Sequence, residues 1–293
     1  MNIIFVFSST QSSKTSSQTI LYTLKNNLFL YILKNPFMVT QMVKQSSKKL
    51  DLTSFFTELA SPVRMQILEI LSEGIGYRNS EMARSLGVSA QESLRHLSRL
   101  IENQLVVQEG REYLLSQIGR VFIEGLLPQI SFLLEHSKFF QLHDLSVIPP
   151  ILTRRFAEIT TATLLDDPTT ILQKGEEIIQ EASERVWDIA KLVTNSTNRL
   201  LATKSNELDL RAIEERQTNN PKIQILGREV RRIDHIDLAI LLSEKSAFIR
   251  FPLVTTGELS LNYALYGKDP TFLNFCYDLF QYYWEQATPV SDF

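Results

Sequence analysis

Apolar positions recur at helical spacing in three short segments between residues 53 and 103, each bounded by polar caps or glycines, before the pattern turns strand-like. Ser61-Pro62 predicts a helix start, because serine accepts backbone N–H bonds while proline at the first helical position loses no bond it needed. Val63, Ile67, Ile70 and Leu71 form its apolar face, Gly74 and Gly76 end it, and Thr53 to Leu59 reads as a helical lead-in. Asn79-Ser80 predicts the cap of a second helix carrying Met82, Ala83 and Leu86, and Gly87 permits the positive φ that reverses the chain. Ser89-Ala90-Gln91-Glu92 has the form of a capping box, opening a third helix that runs to about Asn103. At about 100° per residue, Ala90, Leu94, Leu97 and Ile101 share one arc, predicted to pack, with Gln91, Glu92, Arg95, Ser98, Arg99 and Glu102 opposite. Leu105 to Gln108 and Glu112 to Leu115 then flank Glu109-Gly110-Arg111 as a hairpin.

From Ile118 to Leu142 the pattern is helical again, and Val121, Leu126, Leu127, Ile130, Leu133, Leu134 and Phe140 offer more apolar surface than one small domain covers. Such a helix either pairs two copies of the chain or packs on its own C-terminal half. Pro149-Pro150 marks a boundary. Beyond it, strand-like runs at Ala162 to Leu165, Val186 to Val193 and Leu208 to Ile213 alternate with helices opened by Asp167-Pro168 and Asn195-Ser196. Ile223 and Ile225 suggest a further strand, and Leu238 to Leu242 with Phe248 to Val254 reads as a hairpin turning at Glu244-Lys245. Asp269-Pro270 caps a closing helix with Phe272, Phe275, Tyr277, Phe280, Tyr282, Tyr283 and Trp284. The expected fold is mixed, α+β or α/β: a winged helix-turn-helix over 48–125, a helical linker or dimerisation segment over 126–145, and an α/β domain over 146–293. Residues 1–47, with the polar stretches SSTQSSKTSSQT and KQSSKK, are expected to form a tail without a fold, or an overextended start ahead of Met38 or Met42. Their apolar runs are too short or too interrupted for a secretory signal or a membrane span.

Composition narrows the chemistry. A formal net charge of -3 over 293 residues excludes a whole-chain basic field, so any contact with a polyanion comes from a local patch. Residues 48–125 carry nine basic against ten acidic side chains, which implies modest nonspecific affinity. The single cysteine, Cys276, excludes an internal disulfide and multi-cysteine metal sites, fits a reducing cytosol, and is expected to pack as a small hydrophobe. The planar groups of Arg and Gln make paired hydrogen bonds to guanine and adenine edges, so Gln91, Arg95 and Arg99 are candidates for reading duplex DNA. A solvated helix face carries the same residues. Arg78, Arg84 and Arg111 are phosphate candidates, Ser80 and Ser89 stand at helix starts, and His96 lies at the edge of the face. In the C-terminal half the aromatic closing helix either lines an effector pocket or forms core, with Trp187, Tyr263 and Tyr266 as pocket candidates. His136, Lys138 and Asp144 come within one residue of a phospholipase D-type spacing without a second copy, and His235 between Asp234 and Asp237 lacks a clear third ligand. No cofactor and no metal are expected.

The segments LASPVRMQILEILSEG, NSEMARSLGVSAQESLRHLSRLIENQLV and YLLSQIGR closely resemble the ArsR-like winged-helix transcription regulators. FFQLHDLSVIPPILTRRFAEI and TGELSLNYALYGKDP resemble the archaeal methanogenesis-regulatory type, which joins a sensor-like domain to such a reader. The resemblance implies a cytoplasmic, homodimeric, sequence-specific regulator controlled by a small-molecule or protein effector, whose third helix enters the major groove with Gln91, Glu92, Arg95, His96 and Arg99. Two departures matter. The cysteine pair of metal-sensing members is absent, and Gln104 stands where glycine commonly ends the helix, leaving Asn103 to take the left-handed conformation. Two other classes remain open: an enzyme of phosphodiester or nucleotide chemistry targeted to DNA, and a scaffold binding protein only.

Overall fold

A computed structural model describes residues 51–190, 195–216 and 227–290, together with the backbone of two strands, β1 (Ile20–Leu24) and β2 (Asn27–Tyr31). The two strands pair antiparallel, Ile20 opposite Tyr31, within the segment expected to have no fold. The reason is local: Ile, Tyr and Phe in short runs suit a pleated ladder even where the surrounding sequence is polar. The rest of residues 1–47, and the strand expected at Ile223 and Ile225, lie outside the described residues. By its contacts the chain divides into two compact units, one gathering residues up to Ile67 with Tyr77–Tyr113, the other Leu68–Gly76 with Leu114–Phe293. Among the described residues no helix is long and apolar enough to cross a membrane.

The first set of elements is α1 (Leu52–Leu59), α2 (Pro62–Leu71), β3 (Tyr77–Arg78), α3 (Asn79–Leu86), α4 (Ala90–Glu102), β4 (Val106–Glu109) and β5 (Glu112–Leu115). Asp51 caps α1 by accepting the Ser54 N–H at 2.9 Å. The α3 helix starts one residue earlier than the Asn79-Ser80 cap implies: Arg78 is its N-cap, and the Glu81 carboxylate accepts the Arg78 N–H at 2.8 Å. Asn79 instead uses its side-chain amide to donate to the Ala90 carbonyl at 2.9 Å, tying the starts of α3 and α4 together. Gly87 closes α3 at φ +67°, and the Ser89 hydroxyl accepts the Glu92 N–H at 3.1 Å to open α4. At the other end of α4 the left-handed residue is Gln104, at φ +57°, and not Asn103, at φ -95°. The N–H groups of Gln104 and Leu105 reach the carbonyls of Ile101 and Leu100, each at 2.9 Å, and burial of Leu105 holds this geometry against the strain on Gln104. The three strands form a sheet in the order β3-β5-β4, with β3 antiparallel to β5.

The second unit begins with α5 (Gln117–Arg120), a π-helical turn (Val121–Leu126), α6 (Leu127–Glu135) and α7 (Ser137–Leu142), then α8 (Pro150–Thr153) and α9 (Phe156–Ile159). It continues with β6 (Thr163–Leu165), α10 (Pro168–Glu181), β7 (Arg185–Ile189), α11 (Asn195–Lys204), β8 (Asp209–Glu215) and β9 (Arg228–Ile233). The last elements are β10 (Ala239–Ser243), β11 (Ala247–Arg250), β12 (Ala264–Gly267), α12 (Pro270–Gln286) and β13 (Thr288–Pro289). Among the described residues they build a mixed sheet ordered β13-β9-β8-β7-β10-β11-β12-β6, parallel only at β7-β8 and β8-β9. Both faces are covered. Trp187, Ile189, Ile240, Leu242 and Ile249 pack with Phe272, Phe275, Leu279 and Phe280 of α12, whereas Val186, Leu210 and Leu241 pack with Ile178 and Ile179 of α10. Cys276 is fully buried in the first of these layers, and burial pushes its thiol up. Asp167 and Asp269 cap α10 and α12 as the sequence predicts, accepting the N–H groups of Thr170 and Thr271.

The β10–β11 turn is locked from outside by its own glutamate. Glu244 accepts the N–H and hydroxyl of Ser183, at 2.8 and 2.9 Å, and the N–H groups of Glu184 and Arg185, at 3.3 and 3.2 Å. Burial alone would raise this carboxyl, but the donated hydrogen bonds outweigh it and hold the group at about 2. Its contribution to stability is therefore complete above the ordinary value of 4.5 and is lost as pH falls from there through 2. Glu244→Gln is expected to destabilise the chain at neutral pH, by at most about 3 kcal/mol, and to flatten the acid limb of the stability curve in urea titrations at a series of pH values. Gln104→Gly, in contrast, is expected to stabilise by about 0.5–1 kcal/mol, read as a raised urea midpoint, because the strained residue is replaced by one without a Cβ.

Candidate functional site

The exposed side of α4 is set by what its other side buries. Ser93, His96, Leu97 and Leu100 are buried, with the helix packed on α3 and β4. On the wheel this stripe lies about 80° from the arc expected from Ala90, Leu94, Leu97 and Ile101, because polar Ser93 and His96, and not Ala90 and Leu94, occupy the interior. Leu94 is consequently 44% exposed. It stands with Gln91, Arg95, Ser98, Arg99 and Glu102 around a shallow depression on the outward face. The three base-reading candidates therefore share one face, and His96 does not belong to it. The histidine is 9% exposed, and burial, with the Arg95 and Arg64 charges, holds it below the ordinary histidine range. Glu92 is half-buried, its N–H spent on the Ser89 cap and its carboxylate 4.0 Å from Arg95 and 3.9 Å from His96.

The arginines of this face are loosely held. Arg99 lies 3.9 Å from Glu58 and 3.8 Å from Glu102, with more than half of its side chain exposed. Glu58 is itself anchored, 3.2 Å from Arg64, whose guanidinium also donates to the Glu58 and Thr57 carbonyls at 2.6 and 3.3 Å. Surface pairs of this kind contribute at most about 1 kcal/mol, so Arg95 and Arg99 can exchange their carboxylates for another partner at little cost. Arg78, Ser80, Arg84, Ser89 and Arg111 are all exposed. Arg111 follows Gly110, at φ +64°, in the turn between β4 and β5.

The three effector-pocket candidates do not meet. Trp187 is buried against α12, stacked on Phe280 with centroids 5.1 Å apart, and Arg211 covers its ring at 4.5 Å. Arg211 also faces Trp284, and Arg231 lies over that ring at 4.3 Å, so the aromatic residues of α12 with Trp187 form a cation-laced layer of core. Tyr263 packs edge-on to His143 and Phe139. Tyr266 belongs to the α10 side, with the Lys174 ammonium 5.5 Å from its ring. A cavity does open in this unit, lined by Ile171, Leu172, Asp188, Leu241, Phe248 and Arg250 among others, none of which the sequence marks as a pocket residue. Only the alternation of Asp188 with Trp187 along β7 could have hinted that a polar group points away from the aromatic layer.

His136 lies at the junction of α6 and α7 against Phe132, and Asp144 accepts the Ser146 N–H at 2.8 Å, so with Lys138 on α7 each sits in ordinary local structure. His235 bridges carboxylates, 3.0 Å from Glu215 and 3.1 Å from Asp237. Among the described residues no group of three or more His, Cys, Asp or Glu side chains is placed to hold a metal ion.

Fold and site together define a mixed α/β chain with a large mixed sheet and a separate small helical unit presenting one arginine-bearing helix face. No family model matches the chain. No curated protein matches it either, so the resemblance to ArsR-like regulators stands on the residues quoted above. Among solved structures it is similar to TrmBL2, an archaeal chromatin protein described as showing a novel mode of DNA binding, at 14% identity and a TM-score of 0.37, over 76% of this chain and 92% of that one. It is also similar to NucT from Helicobacter pylori, at 12% and 0.37 over 44% and 98% of the two chains. Nuc, a phospholipase D family member from Salmonella typhimurium, is similar at 12% and 0.35 over 45% and 98%. These TM-scores are too low to carry an argument, and the functional reading rests on the geometry of this chain.

Proposed function

We propose that the chain is a DNA-binding transcription regulator of winged helix-turn-helix form, in which α3, the Gly87 turn and α4 make up the helix-turn-helix and β4–β5 the wing. The carrying observation is the outward face of α4, where Gln91, Arg95, Ser98 and Arg99 stand together on a helix capped at both ends and packed along its opposite side. Arg95, Arg99 and Gln91 read base edges in the major groove, Leu94 offers an apolar contact of the kind a thymine methyl accepts, and Arg78, Arg84 and Arg111 hold phosphates. The duplex displaces the loose carboxylate partners of Arg95 and Arg99. The protein acts as a homodimer in the cytoplasm: Ile118, Val121, Leu126, Ile130, Leu133 and Leu134 are exposed, and a second copy covering them sets two readers about 34 Å apart for successive major grooves. The second unit then serves as the effector-responsive half.

Selection of bound sequences from a random duplex pool, run with wild type and Arg95→Ala, tests this reading. An enriched motif is expected for wild type, and Arg95→Ala is expected to cost about 1–3 kcal/mol on that motif and to relax one base position. Enrichment of no sequence over random duplex overturns the proposal. A second measurement concerns the acidic rim of the face: Glu102→Gln, by freeing Arg99 of a competing carboxylate, is expected to tighten duplex binding a few-fold at low salt. Arg111→Ala is expected to weaken all sequences alike and to reduce the slope of log K against log salt by about 1 in fluorescence anisotropy titrations.

A further inference from the structure

The cavity in the second unit measures about 500 Å³, within the range of small-molecule sites. Ile171, Leu172, Leu241 and Phe248 give it a mainly apolar wall, and among the described residues the charged ones lining it are Asp188, Glu258 and Arg250. Asp188 is already neutralised: it forms a buried ion pair with Arg228, the two side chains being 8% and 5% exposed. Glu258 is exposed on the loop that borders the cavity. Arg250 is the unusual group. Its Nε and Nη2 both donate to one acceptor, the Ser260 carbonyl, at 2.8 and 2.5 Å. Among the described residues no carboxylate lies within ion-pair distance of it, and Nη1 has no hydrogen-bond partner. Burial lowers its hold on the proton, and no charge among the described residues offsets that cost. A guanidinium has five donors, and a part-buried one in an apolar wall is ordinarily matched by an anion.

We infer that this cavity binds a small organic acid, whose carboxylate pairs with Arg250 and whose aliphatic or aromatic body lies against Ile171, Leu172, Leu241 and Phe248. A carboxylate suits the planar fork of arginine and brings one negative charge. A phosphate dianion would bring more charge than one arginine balances beside Asp188 and Glu258, and a sugar would leave its hydroxyls unpaired against the apolar wall. The role of such an acid as effector rests on the proposed regulator function; the binding itself does not.

The test uses the full chain with octanoate and 3-phenylpropanoate as probes, against octanol, octylamine and inorganic phosphate, by calorimetry and thermal shift. At least one of the two acids is expected to bind and raise the melting temperature, and the alcohol to bind more weakly by about tenfold or more, the worth of a charge-assisted pair. Arg250→Met, which keeps bulk while removing the charge, is expected to lose the same factor. Leu172→Trp, which fills the cavity from a partly exposed helix position, is expected to abolish binding in a folded chain and keeps the test decisive if the Arg250 variant unfolds. Failure of both acids to bind, equal binding of octanol, preference for octylamine or phosphate, or binding unchanged in Leu172→Trp overturns the inference. Anisotropy on the selected duplex then separates the two readings: an acid that binds without altering duplex affinity leaves the site standing and removes its effector role, whereas a chain that binds the acid but selects no duplex overturns the regulator instead.

Discussion

Burial of one stripe of α4 decides what that helix presents to any partner. Fully burying Leu97 and Leu100 is worth about 1.5–3 kcal/mol each, against at most about 1 kcal/mol for an exposed ion pair such as Arg99–Glu102. Packing therefore fixes the rotation of the helix, and the charged residues take whatever side remains. The caps fix its position along the axis: Ser89 at the start, the Asn79 amide on the Ala90 carbonyl, and the Leu105 and Gln104 N–H groups at the end. Arg95, Arg99 and Gln91 thus project from a rigid rod, while their own side chains remain only loosely paired. That combination suits recognition, since the backbone is ordered in advance and few strong bonds must be broken when a partner arrives.

In the second unit the corresponding constraint is strand alternation in a sheet covered on both faces. Trp187 and Ile189 go to the α12 layer, and Val186 and Asp188 go to the other side. A carboxylate is thereby delivered to an interior, where it survives because Arg228 on β9 meets it. The α10 helix comes close to the sheet at Gly175, where a Cβ would stand 3.3 Å from Phe248, and the same residue lines the cavity. Glycine at that contact sets how near the helix lies, and the space beside it is what a ligand would occupy.

Much of this organisation is legible along the chain. Gly87 and Gly110 carry positive φ, and Asp167-Pro168 and Asp269-Pro270 open helices, because these residues act on their immediate neighbours and need no distant partner. The β10–β11 hairpin is equally local. The Arg228–Ile233 strand is not legible in the sequence, because REVRRI carries charge on both faces; only pairing with β8 on one side and β13 on the other makes it a strand. Gln91, Arg95 and Arg99 lie on the outward face as the wheel predicts, but Leu94 is exposed and His96 buried, because polar Ser93 and His96 join Leu97 and Leu100 in the buried stripe.

Residue order by itself determined where the chain turns, where helices begin, and which stretches alternate, since each depends on backbone sterics and hydrogen bonds within a few residues. The tertiary structure alone decided which face of α4 is outward, that Trp187, Tyr263 and Tyr266 pack against different neighbours, and that among the described residues Arg250 meets no carboxylate beside a cavity. Those outcomes depend on partners tens of residues away, and a side chain's solvation follows from what packs against it, which no local pattern records.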